Sequence, residues 1–410
     1  MSLKNYNIER AFGALLRWRL RYSLVVAVST PRFVSRRRLE LHPNARPITF
    51  KMRLLIITQK IDINDDVLGF MHGWIAEFAK HCDKVTAVCL EKGEYDLPEN
   101  VKVLSLGKEN KLRITNYELR ILKRIRFVYN FYKYIWKERN NYDKAFVHMN
   151  DEYVVLGGLL WRMMGKKIGL WYAHGHVPLS LRIAEKFVHV IFTSTPGGCR
   201  LKSGKIKVVG QGIDTNRITN YELRITNDKF KIVTIGRISP SKDYETLILA
   251  AKILTKENLN FEVDIIGGPG TPKQEEYLEN LIKMVKDSGL EEVINFKGPM
   301  PNREIAPVLN KADLFVNMGL TGSLDKAILE AMSTELPILT CNEALKDVLG
   351  DYKERLMFKK KDYMEMSAKI KAITRLDPWE RAKIGRDLRE IVVKNHSLGE
   401  LVKKIIRKLE

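Results

Sequence analysis

Arg237 and Lys242 lie five residues apart, directly after the apolar run Phe230–Ile235, with Gly236 at the turn. Two cations across a strand-to-helix turn can converge on a leaving diphosphate, and neutralising that charge makes a nucleotide a good leaving group. Two exposed surface cations would be the plain alternative, but a position at the end of an apolar strand favours the chemistry. A second group follows Leu314–Val316, where Gly319 and Gly322 punctuate a loop. Ser323 or Asp325 is placed to N-cap the next helix, in which Ala327, Ile328, Ala331 and Met332 recur at helical spacing. A helix N-terminus at the carboxyl edge of a parallel sheet is a ready site for anionic oxygens. Glu330, expected about two turns into that helix, can take the paired hydroxyls of a ribose. Its neighbours Leu329, Ala331 and Met332 imply a buried face. Together these residues form one wall of a nucleotide pocket.

The elements that must position them alternate along the chain. From Met52, strand-like runs occur at Arg53–Thr58, Val85–Leu90, Val101–Leu106, Lys144–His148, Lys167–Ala173, Val190–Thr193 and Ile206–Val209. Helical patterns lie between them, near 120–139, 153–164 and 179–187, and Gly69 opens a helix carrying Phe70, Trp74, Ile75 and Phe78. The rhythm restarts at Phe230, with strands at Phe261–Ile266, Val293–Lys297 and Ile338–Leu339 and closing helices at 362–374, 378–389 and 398–409. This predicts an α/β chain with two Rossmann-like parallel sheets and a deep interdomain cleft. The expected division is 1–51, 52–214, a linker at 215–229, 230–385, and a C-terminal helix, 386–410, packing back across the junction.

Composition narrows the class. The chain has 410 residues, 45% of them apolar, which suits two cores. Its four cysteines are widely spaced and read as buried thiols in a reducing compartment. No eighteen-residue apolar run exists, so no spanning helix is expected; the reducing compartment implied by the thiols makes the cytoplasm the expected location. The formal charge of +21 favours anionic partners. In the absence of a nucleic-acid motif, an anionic membrane surface is the expected one. Residues 1–51 carry many arginines and only Glu9 and Glu40 as acids. They read as a basic amphipathic helix or as a poorly ordered, non-native extension ahead of Met52. Arg17, Arg19 and Arg21 interrupt the apolar stretch, which argues against a secretory signal. RITNYELRI occurs at Arg113–Ile121 and again at Arg217–Ile225, as two surface insertions without chemistry.

His174 follows the strand Ile168–Ala173 and precedes Gly175, at the edge where ligands bind; His148 and His176 are candidates of the same kind. Asp62, Asp65 and Asp66 suggest a metal site, but no second ligand cluster supports one, so they read as loop solvation beside the acceptor cleft.

The second half resembles the donor domain of the retaining glycosyltransferases of family GT4, with the GT-B fold. The matching marks are Gly236-Arg237 with Lys242, the turn Phe296-Lys297-Gly298, and Glu330-Ala331-Met332 before Pro337. In the first half Gly69, His148, His174-Gly175, Ser194 and Gly212-Ile213-Asp214 fit as well. The resemblance implies His174, Arg237 and Lys242 as catalytic groups. It implies donor contacts from Gly69, Gly236, Gly298, Gly322, Ser323, Leu324, Asp325, Lys326 and Glu330. Glu330 resembles the second acid of the family's Glu-x7-Glu motif, whose first acid is replaced here by Gly322; Asp325 and Lys326 lie in the same loop as substitutes for its contacts. The implied reaction moves a sugar from a nucleoside-diphosphate sugar to a glycan or lipid-linked acceptor with retention and without metal or other cofactor. Rival readings are a nucleotide-sugar epimerase of the same fold, a catalytically silent nucleotide-sugar binder, and a basic nucleic-acid binder.

Overall fold

The computed structural model describes residues 52–110, 117–216, 229–320 and 324–410. The segment 1–51, the second RITNYELRI copy, most of the expected linker, and the candidates Gly322 and Ser323 lie outside the described residues.

The N-terminal sheet has seven strands in the order β3-β2-β1-β4-β5-β6-β7. They are β1 (Met52–Ile61), β2 (Cys82–Lys92), β3 (Val101–Ser105), β4 (Lys144–His148), β5 (Lys167–Trp171), β6 (Val190–Thr193) and β7 (Ile206–Val208). Each neighbouring pair is parallel. A parallel strand covered on both faces is apolar throughout rather than alternating. β1 shows it: Leu54, Leu55, Ile56 and Ile57 are all fully buried. The intervening helices are α1 (Phe70–His81), α2 (Tyr117–Lys137), α3 (Asp151–Met163) and α4 (Leu179–Phe187). α2 begins inside the first RITNYELRI copy, so the end of that copy is helical and not a loop ahead of the helix.

The C-terminal sheet has five parallel strands in the order β10-β9-β8-β11-β12. These are β8 (Phe230–Ile235), β9 (Phe261–Ile266), β10 (Ile294–Gly298), β11 (Leu314–Asn317) and β12 (Ile338–Thr340). Its helices are α5 (Tyr244–Lys256), α6 (Pro272–Asp287), α7 (Asn302–Asn310) and α8 (Lys326–Ser333), followed by α9 (Tyr363–Thr374), α10 (Pro378–His396) and α11 (Leu398–Leu409). α10 runs on to His396 instead of ending near 389, because no breaker intervenes before Ser397.

Both sheets reverse strand order beside their first strand, between β1 and β4 and between β8 and β11. Ligands of open α/β sheets bind at such points. At Ser397 the chain crosses from one half to the other. Ile213 N–H donates to His396 O at 2.7 Å, and Leu398 N–H to Ile213 O at 2.8 Å. α11 then buries Leu398, Leu401, Val402, Ile405 and Leu409 in the core of the N-terminal sheet, against the face that holds Trp74, Ile75 and Phe78. All four cysteines are buried and free.

Candidate functional site

On the C-terminal side the site grows from the end of β8. The Gly236 carbonyl accepts from the Tyr244 hydroxyl at 2.9 Å. Gly267 presses against the same carbonyl: its φ is +140°, and a Cβ there would lie 2.0 Å from Gly236 O, so only glycine fits. Lys242 folds back over Gly236, with Cε 3.1 Å from where a Cβ at 236 would stand. Its ammonium donates to the Asp325 carboxylate. Asp325 also N-caps α8, accepting from Ala327 N–H at 3.3 Å, and accepts from Asn317 Nδ2 at 3.3 Å. Asp325 is therefore the cap; the other capping candidate, Ser323, lies outside the described residues. Arg237, the residue after Gly236, is exposed, its Nε 3.5 Å from where a Cβ at Gly270 would stand. Both cations thus follow the end of β8, and Lys242 is already paired with a carboxylate. Gly298 closes β10 with φ +74°, and its carbonyl accepts from Gly267 N–H at 2.8 Å.

The facing wall comes from the N-terminal half. Lys326, the first residue of α8, does not lie on the surface. Its Nζ sits 2.8 Å from the Phe70 ring centroid and 4.9 Å from that of Trp74. That nitrogen is buried without a hydrogen-bond acceptor. Burial pushes its pKa well down, opposed by the nearby Glu330 carboxylate. Glu330 is only one turn into α8, not two, because the helix starts at Lys326. Asn302, at the start of α7, donates to Glu330 Oε1 at 3.4 Å. Gly69 comes close to Asn302 from the other side: a Cβ on Gly69 would lie 3.3 Å from Asn302 Cβ and 2.4 Å from Asp65 O. Phe70, Trp74, Gly212, Asn302, Lys326 and Glu330 line a cavity of about 50 Å³. Leu324 is buried at the same seam, its carbonyl accepting from Gln211 Nε2 at 3.4 Å.

His148 ends β4 behind this cavity, its ring 5.7 Å from that of Phe70 and 5.6 Å from that of Trp74. Burial, then the charge of Lys326, pushes its pKa down to about 3, so it is neutral near pH 7. His174 and His176 are exposed, and His174 Nδ1 accepts from His176 N–H at 3.0 Å. Asp62 and Asp65 lie 3.1 and 2.7 Å from Lys60 Nζ, and the Asp65 carboxyl is held low because Lys60 and the Leu68 and Val67 N–H groups outweigh its burial. These acids solvate a lysine. Among the described residues no group of three His, Cys, Asp or Glu side chains is arranged to hold a metal.

Gly69, His148, Leu324, Lys326 and Glu330 therefore gather around the cleft. Gly236, Arg237, Lys242 and Asp325 form an adjoining cluster. Sequence reasoning missed Asn302, Asn317 and Gly267. It read Phe70 and Trp74 only as part of a helix pattern, and apolar spacing alone cannot mark them as cleft residues.

Two parallel-stranded halves with facing switch points define the GT-B class. HepE of Anabaena, solved with UDP and glucose, superposes with a TM-score of 0.68 at 16% identity, covering 87% of this chain and 99% of that one. Sucrose-phosphate synthase of Thermosynechococcus elongatus does so with 0.68 at 14%, covering 86% and 98%. Residues 218–390 match the family model of the glycosyl transferases group 1. The putative colanic acid biosynthesis glycosyltransferase WcaL of Salmonella typhimurium is 24% identical over 217 residues, 49% of this chain and 52% of the relative. The amylovoran biosynthesis glycosyltransferase AmsK of Erwinia amylovora is 29% identical over 143 residues, 33% of each chain. The chain spans about half the length, or less, of the curated relatives it matches.

Proposed function

We propose that the protein transfers a sugar from a nucleoside-diphosphate sugar to a glycan or lipid-linked acceptor, with retention at the anomeric carbon, in the cytoplasm and at a membrane surface. The observation that carries this is Lys242 folded over Gly236 at the end of β8, with the exposed Arg237 as the next residue, within the residues that match the family model. A diphosphate lying over Gly236 takes Lys242 from Asp325 and gains Arg237, which stabilises the negative charge that develops as the bond to the sugar breaks. The acceptor oxygen attacks the anomeric carbon on the face the diphosphate leaves, and its proton passes to a phosphate oxygen. No enzyme nucleophile and no metal are required in this scheme, because the two cations supply the positive charge. Glu330 accepts from the ribose hydroxyls, and His174 faces the sugar from the N-terminal half.

The polysaccharide-related names of WcaL and AmsK support the acceptor class, and HepE, bound to UDP, supports the donor class. Ligand pockets typically need about 300–1,000 Å³. The cavity of about 50 Å³ is far smaller, so donor entry moves Lys326 or parts the two halves. The test is a thermal-shift panel of nucleoside diphosphates and their sugars, since a ligand that binds only the folded state raises Tm. One compound should shift the parent and leave Arg237→Ala, with its fold intact, unshifted. Product formation from that donor should persist in chelator. An Arg237→Ala response equal to the parent's overturns the phosphate assignment, and binding without transfer or donor hydrolysis identifies a silent binder.

A further inference from the structure

α2 has two apolar faces. The inward one buries Phe131 and Ile135 completely against the sheet. The outward one exposes Leu122 (59%), Ile125 (58%), Tyr129 (64%), Tyr132 (38%) and Trp136 (52%). At about 100° per residue these five side chains fall within one sector about 80° wide, where a surface helix ordinarily carries polar groups. Arg126, Lys133 and Lys137, all exposed, fall in the adjoining sector, and residues 119–137 include no Asp or Glu. The stripe continues onto the next helix: the Tyr132 hydroxyl donates to Leu156 O at 2.8 Å, and α3 exposes Leu159 (46%) and Met163 (77%) beside Arg162.

We infer that the outward face of α2 docks on an anionic lipid bilayer, with Leu122, Ile125, Tyr129 and Trp136 entering the headgroup region and Arg126, Lys133 and Lys137 meeting the lipid phosphates. The inference rests on the membrane part of the reading above and names its surface. Apolar and aromatic residues edged by cations match an anionic interface in both respects. A second copy of this chain matches it poorly, because the net charge of +21 opposes self-association. None of the helices among the described residues is long and apolar enough to cross a membrane, so this contact lies on the surface.

The test is co-sedimentation of the full chain with vesicles of phosphatidylglycerol and phosphatidylcholine, and with phosphatidylcholine alone. The parent should bind the anionic vesicles and only weakly the neutral ones. The double variants Ile125→Glu/Tyr129→Glu and Arg126→Glu/Lys133→Glu should each lower anionic binding at least about fivefold. These positions are exposed, so Tm and the donor-induced thermal shift should stay at parent values, which keeps this test separate from that of transfer. If both variants bind like the parent, the membrane contact lies elsewhere and the α2 assignment is wrong. If the parent binds neither vesicle, the surface and the membrane reading fall together. A parent dimer that dissociates in the Ile125→Glu/Tyr129→Glu variant, without vesicle binding, would assign the face to a second copy.

Discussion

Lys326 stands between ring faces and a carboxylate, its ammonium lacking any hydrogen-bond acceptor. Leaving such a group buried is costly, and an incoming phosphate or sugar hydroxyl would satisfy it. Lys326→Met should therefore keep or raise the Tm of the ligand-free protein while weakening donor binding about tenfold, about 1.4 kcal/mol. A lower Tm with unchanged donor affinity would mark Lys326 as purely structural. The neighbouring His148 gives a pH signature. Its folded pKa, near 3, and that of His396, lowered to about 4 by burial and then by Lys404, both lie below the ordinary 6.5. Between those values the unfolded chain binds more protons, so stability is full above about pH 6.5 and falls as the pH drops towards 4 and then 3. Each histidine contributes a slope of up to about 1.4 kcal/mol per pH unit. Urea midpoints should fall from pH 7 to pH 5, less steeply in His148→Gln, and equal slopes would contradict the assignment. The cations after β8 were legible because an apolar run, a glycine and two charges fall within the thirteen residues from Phe230 to Lys242. The burial of Lys326 was not, because the rings that cover it are 252 and 256 positions away in the chain.

α8 turns a sequence ambiguity into a testable competition. Asp325 both caps the helix and holds Lys242, two tasks that different substitutions separate. Asp325→Asn keeps an oxygen for Ala327 N–H but gives up the charge on Lys242, so a nucleoside diphosphate should bind a few-fold more tightly at nearly parental stability. Asp325→Ala loses the cap as well and should cost about 1 kcal/mol. Calorimetric titration and thermal melts distinguish the two. Weaker diphosphate binding by Asp325→Asn would mean that the carboxylate contacts the ligand itself. Element positions were legible here because Gly319 and Pro337 bracket the helix and the apolar spacing fixes its inward face. Its start was not, because Ser323 and Asp325 are equally good caps by residue type. In α2 the difficulty is reversed: two apolar stripes share one helical period, and only the sheet decides which is buried.

At the scale of the molecule, alternation of strands and helices announces parallel sheets, but no local signal states their strand order. α11 follows α10 in the chain, yet its apolar side belongs to the other half. Ile405 is fully buried within the core that also holds Trp74, Phe78 and Trp171. The crossing at Ser397 is fastened by backbone hydrogen bonds to Ile213, so α11 cannot leave the N-terminal sheet without breaking them. Truncating Ile405 to alanine removes a branched side chain from a site closed on all sides, a change that costs about 2–5 kcal/mol. The loss should open the N-terminal sheet, although residue 405 is next to the chain's C-terminus. Hydrogen exchange should accordingly rise in β1, β5 and β6, and Tm should fall by several degrees, while exchange in β9 and β10 stays near the parent's. If Ile405→Ala melts like the parent, or if its added exchange is confined to the C-terminal sheet, α11 does not tie the two halves together.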